Sequence, residues 1–174
     1  MPTLISTPKA ANANAYVDLA RALVLLAERL YTPEWATATQ ADQESSIIWA
    51  TYFFDRAMDW HGSKRTVEQS LRHPRSGLVN EDGDNYDFDT ISLPLEKATA
   101  NLSFEFVKRN LLATPGLLGQ GFSRTKIDVI DITVDPTQLL DFVPDYILVS
   151  LDQIGTLRPS VRRGGSSVLG LERT

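Results

Sequence analysis

The stretch from Ile47 to Gly77 constrains this chain more than any other. Ile47, Ala50, Phe54 and Met58 recur every three or four residues, which is the buried face of an amphipathic helix. Thr39 and Asp42 stand three apart ahead of it as an approximate capping box, so the helix is expected to begin near Thr39. Gly62 is its expected stop. An aromatic–glycine break at Trp60-His61-Gly62 leads into a basic loop, a short Val67–Leu71 turn and the run Pro74-Arg75-Ser76-Gly77. A long helix with one apolar face, ended that abruptly, has to be covered by other elements.

The flanking sequence supplies them. Residues 1–16 read as an irregular arm, with Pro2, Pro8 and an Ala/Asn-rich run. A first helix is expected from a cap at Asp18 to about Leu30, with Leu19, Leu23, Leu26 and Leu30 as its stripe and Thr32-Pro33 ending it. Residues 62–93 form a long polar connection. A third helix follows Ser92-Leu93-Pro94, since proline is tolerated in a first turn. Leu95, Ala98, Leu102 and Phe106 face inward there, and the helix fades near Asn110. Between Thr125 and Asp135 the period changes: Ile127 and Val129 share one phase of alternation, and Ile130, Ile132 and Val134 the other. That reads as a bulged strand or two short strands. A last short helix is expected over roughly Pro144–Ile154, carrying Ile147, Leu148, Leu151 and Ile154, with Gly155 closing it.

At 174 residues, 43% of them hydrophobic, the chain suits a single domain. The expected division is an N-terminal arm at 1–16, a helical domain at 17–154 with a β element at 125–135, and a C-terminal arm at 155–174. The fold class is mainly α: a small bundle of three main helices plus a short C-terminal helix, one β excursion and two extended arms. Leu23, Leu26, Ile47, Phe54, Leu102 and Phe106 are the expected core. The β-branched residues of 125–135 fall on both faces, and a lone β element leaves unpaired backbone edges. Ile127, Val129, Ile130, Ile132 and Val134 are therefore expected to meet a neighbouring copy or another protein.

The chemistry that the residues exclude is broad. There is no cysteine, hence no disulfide, thiolate nucleophile or thiolate metal site, and a reducing compartment fits. No apolar run is long enough to span a bilayer, and the N-terminus does not read as a signal peptide. His61 and His73 stand twelve apart, which is no metal-binding spacing, and are expected to be surface loop histidines. Glu81, Asp82, Asp84, Asp87 and Asp89 lack the glycine and glutamate positions of a calcium loop and read as a solvated acidic turn. Gly116, Gly119 and Gly121 have no Gly-Lys-Ser/Thr after them and make no phosphate loop. No nucleophile elbow or ordered Ser/His/Asp set is present. The expectation is a protein without enzymatic activity, cofactor or metal.

Charge is unevenly placed. The net charge is −5, but Arg158, Arg162, Arg163 and Arg173 against Glu172 give the last twenty residues +3, so the body carries −8. A basic, Gly164-Gly165-jointed tail ending in Val168, Leu169 and Leu171 is expected not to fold alone and to be drawn to an acidic partner. The one basic-plus-aromatic cluster is Trp60, His61, Lys64, Arg65, Arg72, His73 and Arg75. Such a mix can stack on bases and neutralise phosphates, with Lys64, Arg65, Arg72 and Arg75 facing DNA. Asp55, Asp59 and Glu68 lie within it, however, and Trp49, Phe53, Phe54 and Trp60 are at or near helical spacing, which reads as core.

Across residues 13–110 a set of segments recurs in order: Asn14-Ala15-Tyr16-Val17, Trp35, Ala50 to Asp55, Trp60 to Thr66, Gln69-Ser70-Leu71, Pro74 to Gly77, and Leu93 to Thr99. In this order and spacing the chain resembles the phage proteins labelled DnaT-like single-stranded-DNA-binding, departing from them at His73, where tryptophan is usual. Their helical architecture resembles that of head–tail adaptor, or connector, proteins of long-tailed phages. The resemblance implies a structural virion protein: a homo-oligomeric ring of about twelve copies docked under the portal. It would extend the channel through which genomic DNA passes and receive the next neck or tail-completion protein. It would act in the virion neck after assembly in the host cytoplasm. The C-terminal arm, with Arg158, Arg162, Arg163, Val168, Leu169 and Leu171, would reach the portal. The alternative is a single-stranded-DNA-binding replication accessory protein, as the label says.

Overall fold

The computed structural model describes residues 3–109, 124–127, 130–133 and 143–158. In chain order the elements are α1 (Leu19–Ala27), α2 (Pro33–Thr37), α3 (Gln40–Ala57), β1 (Met58–Trp60), β2 (Ser63–Lys64), β3 (Arg75–Ser76), α4 (Leu93–Lys108), β4 (Arg124–Ile127), β5 (Ile130–Thr133), α5 (Asp145–Val149) and β6 (Gly155–Leu157). This is the small, mainly helical bundle with β excursions that the sequence implies.

The bundle is organised on α4, which α1, α2, α3 and α5 all contact, α3 most extensively. Its middle is built of small buried residues, Ala98, Thr99, Ala100 and Ser103. Small side chains let the neighbouring helices approach closely. Thr99 Oγ1 donates to the Leu95 carbonyl at 2.8 Å and Ser103 Oγ to the Ala100 carbonyl at 2.7 Å, so neither buried hydroxyl goes unpaired. One apolar cluster joins Tyr16, Ala50, Phe54, Leu95, Leu102, Ile147, Leu151 and Ile154. A second joins Ala15, Val17, Leu26, Trp35, Ile47 and Phe104.

Both expected caps are present. Asp18 accepts from the Arg21 N–H at 2.7 Å. Thr39 Oγ1 accepts from the Asp42 N–H at 3.2 Å while donating to the Asp42 carboxylate at 2.7 Å, so the acid holds the cap's hydroxyl rather than its backbone. Other details differ. α1 ends at Ala27; Leu23 is 44% exposed and Leu30, further on, 77%. Ala22 and Leu26, four apart on one face of the helix, take the buried seam against α4 instead. Phe106 is half-buried, whereas Leu26, Ile47, Phe54 and Leu102 are buried as expected. Trp35 is buried on the short α2, which opens with Pro33.

The C-terminal half of the domain departs further. α3 does not run to Gly62. Its chain turns extended at Met58, and β1 pairs antiparallel with β6, Met58 opposite Leu157 and Trp60 opposite Gly155. The C-terminal arm therefore does not begin at 155: residues 155–157 complete a sheet, and the Arg158 N–H donates to the Ala57 carbonyl at 2.9 Å. The N-terminal arm has no helix or strand among its described residues, yet it is not free. Ala13, Ala15 and Tyr16 are buried, and Asn14 ties the arm to itself through Ile5 and Thr3. β4 and β5 are the two-short-strand form of the β excursion and pair with each other as a hairpin, Ile127 opposite Ile130 and Thr125 opposite Ile132. Each strand thus has one partner within the chain and, among the described residues, one edge left open.

Candidate functional site

The basic-aromatic loop is built as a closed, self-supporting unit. Gly62, at φ +65°, turns the chain out of β1, and a Cβ there would lie 2.3 Å from the Ser76 carbonyl oxygen. The next residues pair as β2 and β3, Ser63 opposite Ser76 and Lys64 opposite Arg75. Gln69 is buried inside the loop. Its Oε1 accepts from the Thr66 N–H at 2.9 Å, and its Nε2 donates to the carbonyls of Leu71 (2.9 Å) and Pro74 (3.1 Å). Ser70 Oγ donates to the carbonyls of Ala10 and Ala13, which fastens the N-terminal arm to the loop.

At its base lies an aromatic node. Tyr16, Trp60 and His73 pack edge to face, with the Trp60 and His73 centroids 4.4 Å apart and Tyr16 6.1 Å from His73. Tyr16 donates its hydroxyl to Asp55 at 2.5 Å, and the Arg72 N–H donates to the same carboxylate oxygen at 2.6 Å. Burial, then the charge of Asp55, pushes the Tyr16 hydroxyl well above its usual pKa. His73 is not a surface residue as expected: it is 2% exposed, and burial, then the nearby Arg75, lowers its pKa to about 3.

Three of the four candidate DNA-facing cations have work inside the chain. Lys64 Nζ donates to the Gln69 carbonyl. Arg75 donates Nε to the His61 carbonyl and Nη2 to the Gly62 carbonyl, each at 2.6 Å. Arg65 bonds Asp89 at 3.3 Å and lies 4.6 Å from the Phe88 ring centroid. Of the four, Arg72 alone has an exposed side chain that neither pairs with a carboxylate nor donates to a carbonyl among the described residues.

The acidic turn is structural as well. Asn80 Oδ1 accepts from the N–H groups of Asp82 and Asp84, Gly83 sits at φ +90°, and Asp89 joins Lys9 to Arg65. Hydrogen bonds from Lys9 and Arg65 hold the Asp89 carboxyl below its usual pKa. Among the described residues no group of three or more histidine, cysteine or acidic side chains converges as a metal site. Arg158 bonds Asp59 at 2.8 Å rather than projecting free. Arg162, Arg163, Val168, Leu169 and Leu171 of the expected arm, and Val129 and Val134 of the expected contact strand, lie outside the described residues.

Sequence reasoning missed the outer face of α3. Trp49 and Tyr52, 46% and 48% exposed, pack edge to face at 5.5 Å, and the Arg56 guanidinium lies 4.5 Å from the Tyr52 centroid. The spacing of Trp49 was taken for core. At about 100° per residue, however, Trp49, Tyr52 and Arg56 fall opposite Ile47, Ala50 and Phe54, a signal the sequence does contain. Trp49 also borders a groove of about 620 Å³ lined by Glu34, Asp42, Phe106, Lys108 and Arg109.

No curated protein and no solved structure matches the chain. The sequence model of one family, described as putative DnaT-like ssDNA binding protein, matches residues 3–168. That span takes in the arm, the bundle and the loop together, and the chain belongs to this family.

Proposed function

We propose that the protein is a structural assembly component, a head–tail adaptor that forms a ring under a phage portal and carries the DNA channel on to the neck. The observation that supports it is apolar surface left on separate elements. Leu23 and Val24 on α1, Tyr31 just beyond it (87% exposed), and Tyr146 and Val149 on α5 (68% exposed for Val149) all face outward. In this reading they gather into partner contacts instead of standing as scattered surface residues. A ring requires two different patches per copy, one for each neighbour. The bonds that Lys64, Arg65 and Arg75 make within the chain fit a wall-building unit better than a phosphate grip. In this reading the β4–β5 hairpin and the chain beyond Arg158 would meet a neighbour, the portal or the next neck protein.

Native mass spectrometry of the protein alone and with portal tests it. A ring of about twelve copies is expected, and a Val24→Asp/Val149→Asp variant should dissociate it without unfolding the bundle. A protein that stays monomeric at every concentration and ignores portal overturns the proposal.

A second reading, a single-stranded-DNA-binding accessory protein, is favoured by the description of the family. It predicts oligonucleotide binding that weakens steeply with salt. Binding that is absent at low salt would remove it.

A further inference from the structure

We infer that the outward face of α3 is a contact site for single-stranded nucleic acid, with Trp49 and Tyr52 as base-stacking surfaces and Arg56 as a phosphate contact. This rests on the second reading above and names the surface that would carry it. Trp49 and Tyr52 are half exposed and hold each other edge to face, so both rings stay fixed while much of their area meets solvent. Arg56 lies over the Tyr52 ring and has no carboxylate partner among the described residues. Beyond Trp49 the groove adds Phe106, with Lys108 and Arg109 set against Glu34 and Asp42, so that Arg56 tips the combined face to positive. Lys108 shares the Glu105 carboxylate with Arg29, which leaves that acid more than neutralised.

Aromatic rings beside a few cations suit a strand whose bases are unpaired, because every base offers a π-face. A duplex hides those faces, and its backbone would ask for a denser row of cations than α3 presents. In the loop at 62–77, by contrast, Lys64 and Arg75 are already bonded to carbonyls and Arg65 to Asp89, and Trp60 and His73 pack on each other at its base.

The test is fluorescence anisotropy with a labelled thymidine 20-mer, and with the corresponding duplex, at low salt on the full chain. Trp49→Ala/Tyr52→Ala should weaken single-strand binding at least about tenfold, given what stacked bases contribute. Arg56→Gln should reduce the slope of log affinity against log salt by about 0.7. Intrinsic fluorescence should be quenched on binding, since Trp35 is buried and Trp49 is accessible. The variant should still melt cooperatively with only a modest drop in midpoint, because both rings are half exposed. If Trp49→Ala/Tyr52→Ala binds normally and Arg72→Ala does not, the site is in the loop and this inference fails while the DNA reading stands. If the duplex binds as well as the single strand, the stacking assignment fails. If the variant binds normally but loses an oligomer, the face is a protein contact and the inference is overturned. If the unaltered protein binds no oligonucleotide, both fall.

Discussion

At the scale of single residues the most consequential side chain is His73. It is buried against Tyr16 and Trp60, and its Nε2 has no partner among the described residues. Its folded pKa is about 3 against a usual 6.5, so the unfolded chain takes up a proton first as pH falls. The stability it contributes is whole above about pH 6.5 and is lost on the way down toward pH 3. Between pH 7 and pH 5 the loss should be on the order of 2 kcal/mol, read as a drop in urea midpoint. His73→Phe should flatten that dependence, and an unaltered protein whose midpoint does not move would contradict it. Gly62 offers a second residue-scale comparison. Its left-handed φ and the Ser76 carbonyl both oppose a side chain, whereas Gly83 has the same sign of φ with open space around it. Gly62→Ala should cost about 2 kcal/mol or more, and Gly83→Ala only about 1 kcal/mol, both measured by chemical denaturation.

Among elements, α3 joins two faces of opposite character. Ile47, Ala50 and Phe54 face α4, and Trp49, Tyr52 and Arg56 face out. The helix, its cap and its buried face were legible because periodicity and capping are local signals. Its end was not, because Met58–Trp60 turns extended only to pair with β6, far along the chain. The same holds for α1, where the seam goes to Ala22 rather than Leu23 because of what α4 presents across it. The role of His73 was equally hidden: nothing within its own segment shows that Tyr16 and Trp60 close over it. The β1–β6 pairing carries its own prediction. A chain ending at Ile154 should lose the cover of Met58 and Trp60, melt well below the full protein and bind hydrophobic dyes. A chain ending at Arg158 should melt like the full protein. Equal melting of the two truncations would mean that the pairing contributes nothing.

For the whole molecule, one carboxylate gathers three separate parts. Asp55 on α3 takes the Tyr16 hydroxyl from the N-terminal arm and the Arg72 N–H from the loop. Ser70 and the Lys9–Asp89–Arg65 bridge fasten the same arm to the connection at two further places. The arm and the basic loop thus act as one body with the bundle, although the sequence shows them as two weakly patterned stretches. Asp55→Ala should loosen both at once, giving faster amide exchange at residues 5–15 and 66–73 while the α4 core keeps its protection. Loosening confined to one segment would show that the junction is not shared.

The strand that completes β1 also sets a schedule for making the protein. Asp59 and its partner Arg158 are 99 residues apart. At ribosomal speeds of about 5–20 residues per second, that gap lasts on the order of 5–20 s. For that interval the nascent chain carries a finished long helix whose extended end, with Trp60, has no strand to lie against. The sheet cannot close until Gly155–Leu157 has been made. Stalled or prematurely terminated products are therefore the forms most exposed to clumping with one another, and a helper that shields Trp60 during synthesis would raise the yield of the complete fold.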